Sequence, residues 1–447
     1  MNLEKTDTIA AIATAHGVGS IAIVRLSGPE ALAIAQKITK KALKPRFAHL
    51  RTLYNYQDEI IDQAIVIYFK APHSFTGEDI VEFQCHGGII VADMVLRTLL
   101  HHGARLAEPG EFSKRAFLNG KIDLSEAEAI AKIIEAKSED AAKILARQLK
   151  GELASFVEEV REQLIRILAY VEVNIDYAEE DLPVDLQEQM QNQLETISKN
   201  LAKILESSKR REGLIEGFKV AIIGKPNTGK SSLLNALLNY ERAIVSDIAG
   251  TTRDTIEESV RIGSHLVRFV DTAGIREAQD TIERIGVERS IKAIEESDIV
   301  IAMFDASKPL ESEDQKIIDL IQRYKNEKDI IVILNKIDLG KEITIEDIEP
   351  IELSVKQDIS PLIKKLQTIL DSYANTEEIL LVSRRQIDTV TKALEAINAA
   401  KIPLEMGELE IFAFHINEAI TAIGSITRPM ESSELLDKMF GEFCLGK

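Results

Sequence analysis

GFKVAIIGKPNTGKSSLLNALL, Gly217 to Leu238, decides how the rest of the chain is organised. Val220 to Ile223 form a short apolar, β-branched run of the length of a buried strand. Gly224-x-x-x-x-Gly229-Lys230-Ser231 follows. Leu233, Leu234, Leu237 and Leu238 then recur at helical spacing. A strand, a glycine-rich turn and a helix form the context in which such a loop cradles phosphates. Its backbone N–H groups and the helix N-terminus face the anion, Lys230 reaches the β and γ phosphates, and Ser231 ligates Mg²⁺. The stretch predicts a nucleotide site, with Asn227, Thr228, Gly229, Lys230, Ser231 and Ser232 lining it.

Downstream, apolar runs at Leu266–Val270, Ile299–Phe304, Ile330–Leu334 and Ile351–Leu353 alternate with helical stretches. That alternation predicts a mostly parallel sheet with helices on both faces. The polar residues sit where those strands end, the usual ligand side of an open α/β sheet. Asp271-Thr272-Ala273-Gly274 offers an aspartate for Mg²⁺ and the Gly274 N–H for the γ-phosphate. Asn335-Lys336-Ile337-Asp338 follows Leu334, and Asp338 can accept from both N1–H and N2–H₂ of guanine, which adenine does not offer. Lys336 would lie across the base, and Ser354-Val355-Lys356 would close its edge. The nucleotide is therefore expected to be GTP.

Hydrolysis needs a separate account. The position after Gly274, where many GTPases carry a water-orienting glutamine, is Ile275. The loop Ser246-Asp247-Ile248-Ala249-Gly250-Thr251-Thr252-Arg253-Asp254 precedes the second strand of the sheet, and Thr252 is the expected second Mg²⁺ ligand beside Ser231. Asn227 has a side-chain carbonyl near the β and γ phosphates. With loop carbonyls it could hold a monovalent cation where an arginine finger acts elsewhere; the plainer role is to shape the turn.

At 447 residues the chain is long enough for several domains, and 45% hydrophobic with 28% charged residues reads as soluble and globular. No secretory leader and no apolar run of membrane-spanning length are visible. Two cysteines, Cys85 and Cys444, stand far apart in sequence, which fits a reducing cytoplasm and argues against a zinc site. A net charge of −19 argues against a broad nucleic-acid-binding surface, so any RNA contact must be local or supplied by a partner.

Residues 1–120 read as α+β, with apolar runs at Ile21–Leu26, Ala64–Phe69 and Ile80–Phe83. Three polar clusters (Val24 to Gly28, Ser74 to Asp79, and His86-Gly87-Gly88) read as turns or strand ends with solvated charge. From Leu124 the pattern is helical, and Ser125 with Glu128 suggests a capping box. Leu153, Val157, Val160, Leu164, Ile167 and Val171 form one apolar stripe. Leu186, Met190, Leu194, Ile197, Leu201 and Ile204 form another after the acidic loop Glu179-Glu180-Asp181. Helical patterning stops near Arg211 and resumes after about Ser383. The expected divisions are therefore 1–120, a helical part at 121–215, the inserted G domain at 216–380, and the second helical part at 381–447.

These residues resemble a known family, the tRNA-modification GTPases MnmE, also called TrmE. The likeness covers the whole chain and rests on several segments. They are Asp7-Thr8-Ile9, V-R-L-S-G at Val24, S-F-T-G-E-D at Ser74, Pro109-Gly110-Glu111-Phe112, Arg115-Ala116-Phe117-Leu118-Asn119, P-N-x-G-K-S-S, G-T-T-R-D, D-T-A-G-x-R-E, Glu283-Arg284-Ile285-Gly286 and the terminal Phe443-Cys444-Leu445-Gly446-Lys447. The resemblance implies a multidomain protein: an α+β N-terminal folate-binding and dimerisation domain, an all-α bundle, and an inserted Ras-like α/β P-loop domain. It implies a cytoplasmic, potassium-activated GTPase that works as a homodimer with the flavoprotein MnmG on the wobble uridine of tRNAs. An aminomethyl or carboxymethylaminomethyl group would be added at C5 from methylene-tetrahydrofolate.

Residue by residue, the resemblance implies K⁺ ligands at Asn227, Ser246, Ile248 and Thr251. It also implies catalytic roles for Glu283, acting on the attacking water, and for Lys230. A tetrahydrofolate derivative, 5,10-methylene or 5-formyl, would bind Arg25, Glu82, Lys121 and Lys447. Cys444 could act on uridine C6 or simply pack by that site. Ala15-His16-Gly17-Val18-Gly19 stands where the family has P-P-G-R-G, Thr228 and Val355 replace alanines, and Ser246 replaces a threonine. The other reading of the chain is a regulatory ribosome- or RNA-associated GTPase without covalent chemistry.

Overall fold

The structure is a computed structural model. It describes residues 7–15, 17–136, 138–176, 184–240, 258–270, 283–345, 348–374, 378–428, 436, 439–441, 443 and 446. The chain divides into two compact units, one of Met1–Ile134, Gln148–Ile197 and Asp388–Lys447, the other of Glu135–Arg147 and Ser198–Ile387.

The first unit is built on a six-stranded sheet. Its strands are β1 (Ile9–Ile12), β2 (Ile21–Ser27), β3 (Ala48–Tyr54), β4 (Ile60–Phe69), β5 (Ile80–His86) and β6 (Arg105–Leu106). They lie in the order β3-β4-β5-β2-β1-β6. All neighbours are antiparallel except β1 and β6. Helices α1 (Ala31–Thr39) and α2 (Ile89–His101) bring Ile34, Ile38, Val95 and Leu99 into a core with Val24, Leu26, Val66 and Phe83. The period-2 pattern thus buries one face of β2 and β4.

Two of the three polar clusters, Val24 to Gly28 and Ser74 to Asp79, are less solvated than the sequence suggests. Glu78 accepts from Ser27 Oγ at 2.7 Å and from Arg115 Nη1 at 3.2 Å. Arg115 is buried and also donates to Asp7 and Glu111. Burying the guanidinium is tolerable only because three carboxylates converge on it. Hydrogen bonds from Arg105, whose Nε donates to Asp7 Oδ2 at 2.6 Å, and from Arg115 hold the Asp7 carboxyl down at about 2. His86 does end a strand before a glycine turn, and its ring Nδ1 lies 2.7 Å from Asp62 Oδ1.

Helices α3 (Glu111–Leu118) and α4 (Leu124–Glu135) follow. The cap of α4 lies two residues before the expected Ser125. Asp123 Oδ1 accepts from the Glu126 N–H at 2.9 Å, and Glu126 Oε2 accepts from the Asp123 N–H at 2.8 Å. This is a capping box with Asp123 as the cap, while Ser125 is fully buried and gives its hydroxyl to Asp123. Short α5 (Glu139–Gln148) precedes two long helices, α6 (Glu152–Asp176) and α7 (Val184–Arg210). The stripe Leu153 to Val171 is buried at every expected position. On α7 it runs through Met190, Leu194, Ile197 and Leu201, then shifts from Ile204 to the more buried Leu205. A straight 3.6-residue helix drifts against a repeat of threes and fours, which produces that shift. The C-terminal segment packs Leu436 and Phe440 on Leu124 and Ala127.

In the second unit the short helix α8 (Glu212–Glu216) leads into another six-stranded sheet. It comprises β7 (Phe218–Ile223), β8 (Glu258–Ile262), β9 (His265–Phe269), β10 (Ile299–Asp305), β11 (Asp329–Asn335) and β12 (Ile351–Glu352). Its order is β12-β11-β10-β7-β9-β8. Only β8–β9 is antiparallel. The run Ile299 to Phe304 is buried throughout, as a strand covered on both faces must be. One face packs Leu233, Leu234, Leu362 and Leu366, and the other Ile294, Ile317 and Ile321. Replacing Asp123 by alanine should lower stability by about 1 kcal/mol in urea unfolding, because the Glu126 N–H at the start of α4 and the buried Ser125 hydroxyl both lose their acceptor.

Candidate functional site

The loop Gly224–Gly229 joins β7 to α9 (Lys230–Tyr240) at the C-terminal edge of the sheet. Asn227 adopts a left-handed φ of 64° and turns the loop back on itself. Lys230 donates from Nζ to the carbonyls of Gly224 at 2.7 Å and Lys225 at 2.8 Å, so its ammonium lies along the inside of the turn. Burial pushes the Lys230 ammonium down to about 8. The buried Thr228 hydroxyl closes the loop by donating to Lys225 O at 3.0 Å. An alanine at that position has no such bond. Lys225 is itself held by Glu311 at 3.0 Å and Asp314 at 2.6 Å, at the start of a helix Ser312–Tyr324.

One side chain ties this loop to the loops expected to hold the base. Asn335, at the end of β11, is buried. It donates through Nδ2 to Thr228 O at 2.8 Å and accepts at Oδ1 from the Val355 N–H at 3.0 Å. Gly229 has φ 105°, and a Cβ there would stand 2.4 Å from Asn335 Nδ2. Only glycine lets the amide come that close. Lys336, with a left-handed φ of 66°, reaches Asn227 O at 2.8 Å and Asp305 Oδ2 at 2.6 Å. Asp338 is exposed on the short turn Ile337–Leu339, its carboxylate open to a ligand edge. Ser354 is buried and starts a tight turn to Asp358, and the Val355 side chain packs on the main core.

The structure therefore brings Asn227, Thr228, Gly229, Lys230, Asn335, Lys336 and Val355 into one hydrogen-bonded assembly. Two contributors escaped the sequence reading, Lys225 and Asp305. The second had a signal: an aspartate closing an otherwise wholly apolar strand. Ser231 and Ser232 open α9, and Lys356 follows Val355 in the base-edge turn. Outside the described residues lie Ser246, Asp247, Ile248, Ala249, Gly250, Thr251, Thr252, Asp271, Thr272, Ala273, Gly274 and Ile275. Glu283 begins a helix, Glu283–Glu296, and its side chain is likewise not described.

A second constellation sits in the first unit. Arg25 and Glu82 are cross-strand partners on β2 and β5, joined by Arg25 Nε to Glu82 Oε1 at 3.0 Å and Nη2 to the same oxygen at 2.9 Å. The guanidinium lies 5.8 Å from the Phe75 ring centroid and 5.6 Å from that of Phe112. Both aromatic faces stabilise the charge. Arg25 thus engages a single oxygen of the Glu82 carboxylate. Lys121 approaches from the turn at Gly77, where a Cβ would lie 3.1 Å from Lys121 Cε. Gly446 is packed on the end of β1; a Cβ there would meet Ile12 O at 2.5 Å. Val24, the residue beside Arg25, pairs with Ile12 in the sheet. Cys444 and Lys447 lie outside the described residues.

Both parts of the chain match known families. Residues 8–121 match the model of the GTP-binding protein TrmE N-terminus, and residues 124–444 that of the MnmE helical domain. Over 448 residues the chain is 75% identical to the tRNA modification GTPase MnmE of a Nitratiruptor species, with 100% of each chain covered. The chain belongs to the MnmE family. It is also 61% identical to the MnmE of a Sulfurovum species, again with 100% of each chain covered. With the MnmE of Aliarcobacter butzleri the identity is 62%, covering 99% of this chain and 100% of the relative.

Within this family frame, Lys230 gives a pH signature. Only its ammonium form pairs with a phosphate, and a bound phosphate raises its pKa. Guanine-nucleotide affinity should therefore be level below about pH 8, where the lysine is already charged. It should fall as pH rises past that value, when binding must take up a proton. Titration of a fluorescent GDP analogue between pH 7 and 9.5 measures this, and a Lys230→Met variant should lose the dependence along with most of the affinity.

Proposed function

We propose that the protein is the GTP-hydrolysing subunit of a complex that modifies the wobble uridine of tRNA, acting as a homodimer with the flavoprotein MnmG. The product is 5-aminomethyl- or 5-carboxymethylaminomethyl-uridine, and the one-carbon unit comes from methylene-tetrahydrofolate. The observation that carries this reading is the family correspondence along the whole chain, with the N-terminal and helical models both matched. A bare regulatory G domain has no use for either flank.

In this reading the P-loop amides and Lys230 hold the β and γ phosphates, and Asp338 accepts from the guanine N1–H and N2–H₂. Asn335 keeps the two loops at the separation the nucleotide spans. Ser231 would ligate Mg²⁺ with Thr252 and Asp271, and Mg²⁺ would supply charge stabilisation at the phosphates. Asn227, poised on the turn, suits a K⁺ shared with Ser246, Ile248 and Thr251, which would stand in for an arginine finger. Glu283 is the proposed residue orienting water, since Ile275 has no polar group.

For the folate, Glu82 would bind the pteridine amino edge while Arg25 holds Glu82 in place. Lys121 and Lys447 would meet the glutamate tail. Gly446, two residues after Cys444 and one before Lys447 in sequence, packs on Ile12. Replacing Glu82 by glutamine should weaken 5-formyltetrahydrofolate binding at least 10-fold in calorimetry and leave GTP affinity unchanged.

Nucleoside mass spectrometry on total tRNA from cells with and without the gene tests the whole reading. The C5-methylamino-type uridines should vanish on deletion and return with the wild-type gene. They should not return with Asp338→Asn, whose amide can no longer accept from both guanine donors. Persistence of those nucleosides in a deletion strain holding no second copy would overturn it in favour of a regulatory GTPase.

A further inference from the structure

The chain carries −19 overall, yet residues 37 to 51, KITKKALKPRFAHLR, hold six lysines and arginines and no acidic residue. The structure places this run as one surface of the N-terminal sheet unit. It starts at the C-terminal turn of α1, crosses the connecting loop, and enters the edge strand β3. Arg51 Nη2 donates to Ala42 O at 3.3 Å and the Lys44 N–H to His49 Nε2 at 2.9 Å, which ties the loop to the strand. The Arg46 N–H donates to Tyr68 O at 2.8 Å, which brings exposed Lys70 and the exposed His73 turn alongside. Lys40 and Arg46 both have left-handed φ, 52° and 57°, so the backbone reverses on either side of Lys41, Lys44 and Pro45 and turns these side chains outward.

Nearby carboxylates neutralise little of this charge. Asp58 pairs with Lys40 at 2.6 Å, and Asp79 is engaged by the Ala71 N–H at 2.8 Å and the Tyr68 hydroxyl. Lys37, Lys41, Lys44, Arg46 and Lys70 are left exposed. Phe47 is exposed in their midst, with its ring centroid 4.8 Å from that of His49. An exposed aromatic among cations is what a phosphodiester chain with unstacked bases meets in single-stranded RNA sites.

We propose that this surface, centred on Lys41, Lys44 and Arg46, binds the phosphate backbone of the tRNA. The inference rests on the tRNA-modification reading and supplies the local contact that a strongly acidic chain needs to approach a polyanion. Such a patch orients the RNA electrostatically without reading its sequence, and its contribution falls with salt through counterion release. The competing structural role is edge protection, since lysines beside an edge strand also block strand pairing.

The test uses the full chain with an unmodified tRNA transcript, following fluorescence anisotropy across a salt series. The triple variant Lys41→Gln, Lys44→Gln, Arg46→Gln should bind about 10-fold or more weakly near 0.1 M salt. Its slope of log affinity against log salt should fall by roughly two to three. Its GTP hydrolysis and melting temperature should match the wild type. If wild type and variant bind equally, with equal slopes, the surface assignment fails while the modification reading stands. A variant that self-associates with unchanged tRNA affinity overturns it in favour of edge protection. Binding of the wild type to phosphatidylglycerol vesicles but to no tRNA overturns it in favour of a lipid surface, and the nucleoside measurement above then tells whether the parent reading falls as well.

Discussion

A single buried amide organises the nucleotide end of this protein. Asn335 leaves the C-terminal end of β11 with its side chain pointing along the sheet edge, where one face donates to the P-loop and the other accepts from the base-edge turn. A buried amide left without partners costs about 1–3 kcal/mol, so both loops are drawn to it once the sheet forms. Gly229 makes the approach sterically possible. Charge completes the arrangement. Lys336 ties Asn227 O to Asp305, and Lys225 ties the start of the same loop to Asp314 and Glu311. The loop between β7 and α9 is thus braced at three points, by Asn335, Lys336 and Lys225.

This bracing explains how the chain accommodates departures from its family pattern. Thr228 adds a hydroxyl that closes the P-loop onto Lys225 O, and Val355 adds apolar bulk that packs on the core below its turn. Each larger side chain finds a partner, so neither disturbs the backbone groups that Asn335 holds. At the loop Ala15 to Gly19, the Gly19 N–H still donates to Gly87 O at 2.9 Å, a contact that depends on backbone alone.

The N-terminal unit applies the same economy to a different problem, that of holding cations in a half-buried place. Arg115 is surrounded by Asp7, Glu78 and Glu111, which anchors three sequence-distant segments to one guanidinium. Arg25 instead lies between two aromatic rings. Compensated charge stabilises the fold in the first case. In the second case Arg25 is balanced, among the described residues, by one Glu82 oxygen alone.

Much of this was legible in the linear chain. Periodicity located the strands from Val220 to Ile351 and the buried stripes of α6 and α7, because the 2.0 and 3.6 periods follow from backbone geometry alone. The spacing of the P-loop and of Asn335 to Asp338 announced the nucleotide, since local motifs need only a strand end to present them. Other features depended on residues far apart in sequence. Local pattern suggested Ser125 as a cap, but Asp123 took that place and Ser125 was buried. The Ser74 to Asp79 cluster looked like a solvated turn until Arg115, some 37 residues beyond Glu78, folded against it. The pairing of Arg25 with Glu82, separated by 57 residues, and the seat of Gly446 on Ile12 come from strand register and terminal packing. Local sequence sets which groups a segment can offer; long-range packing sets which of them are buried together, and burial is what turns a charge into a brace or a site.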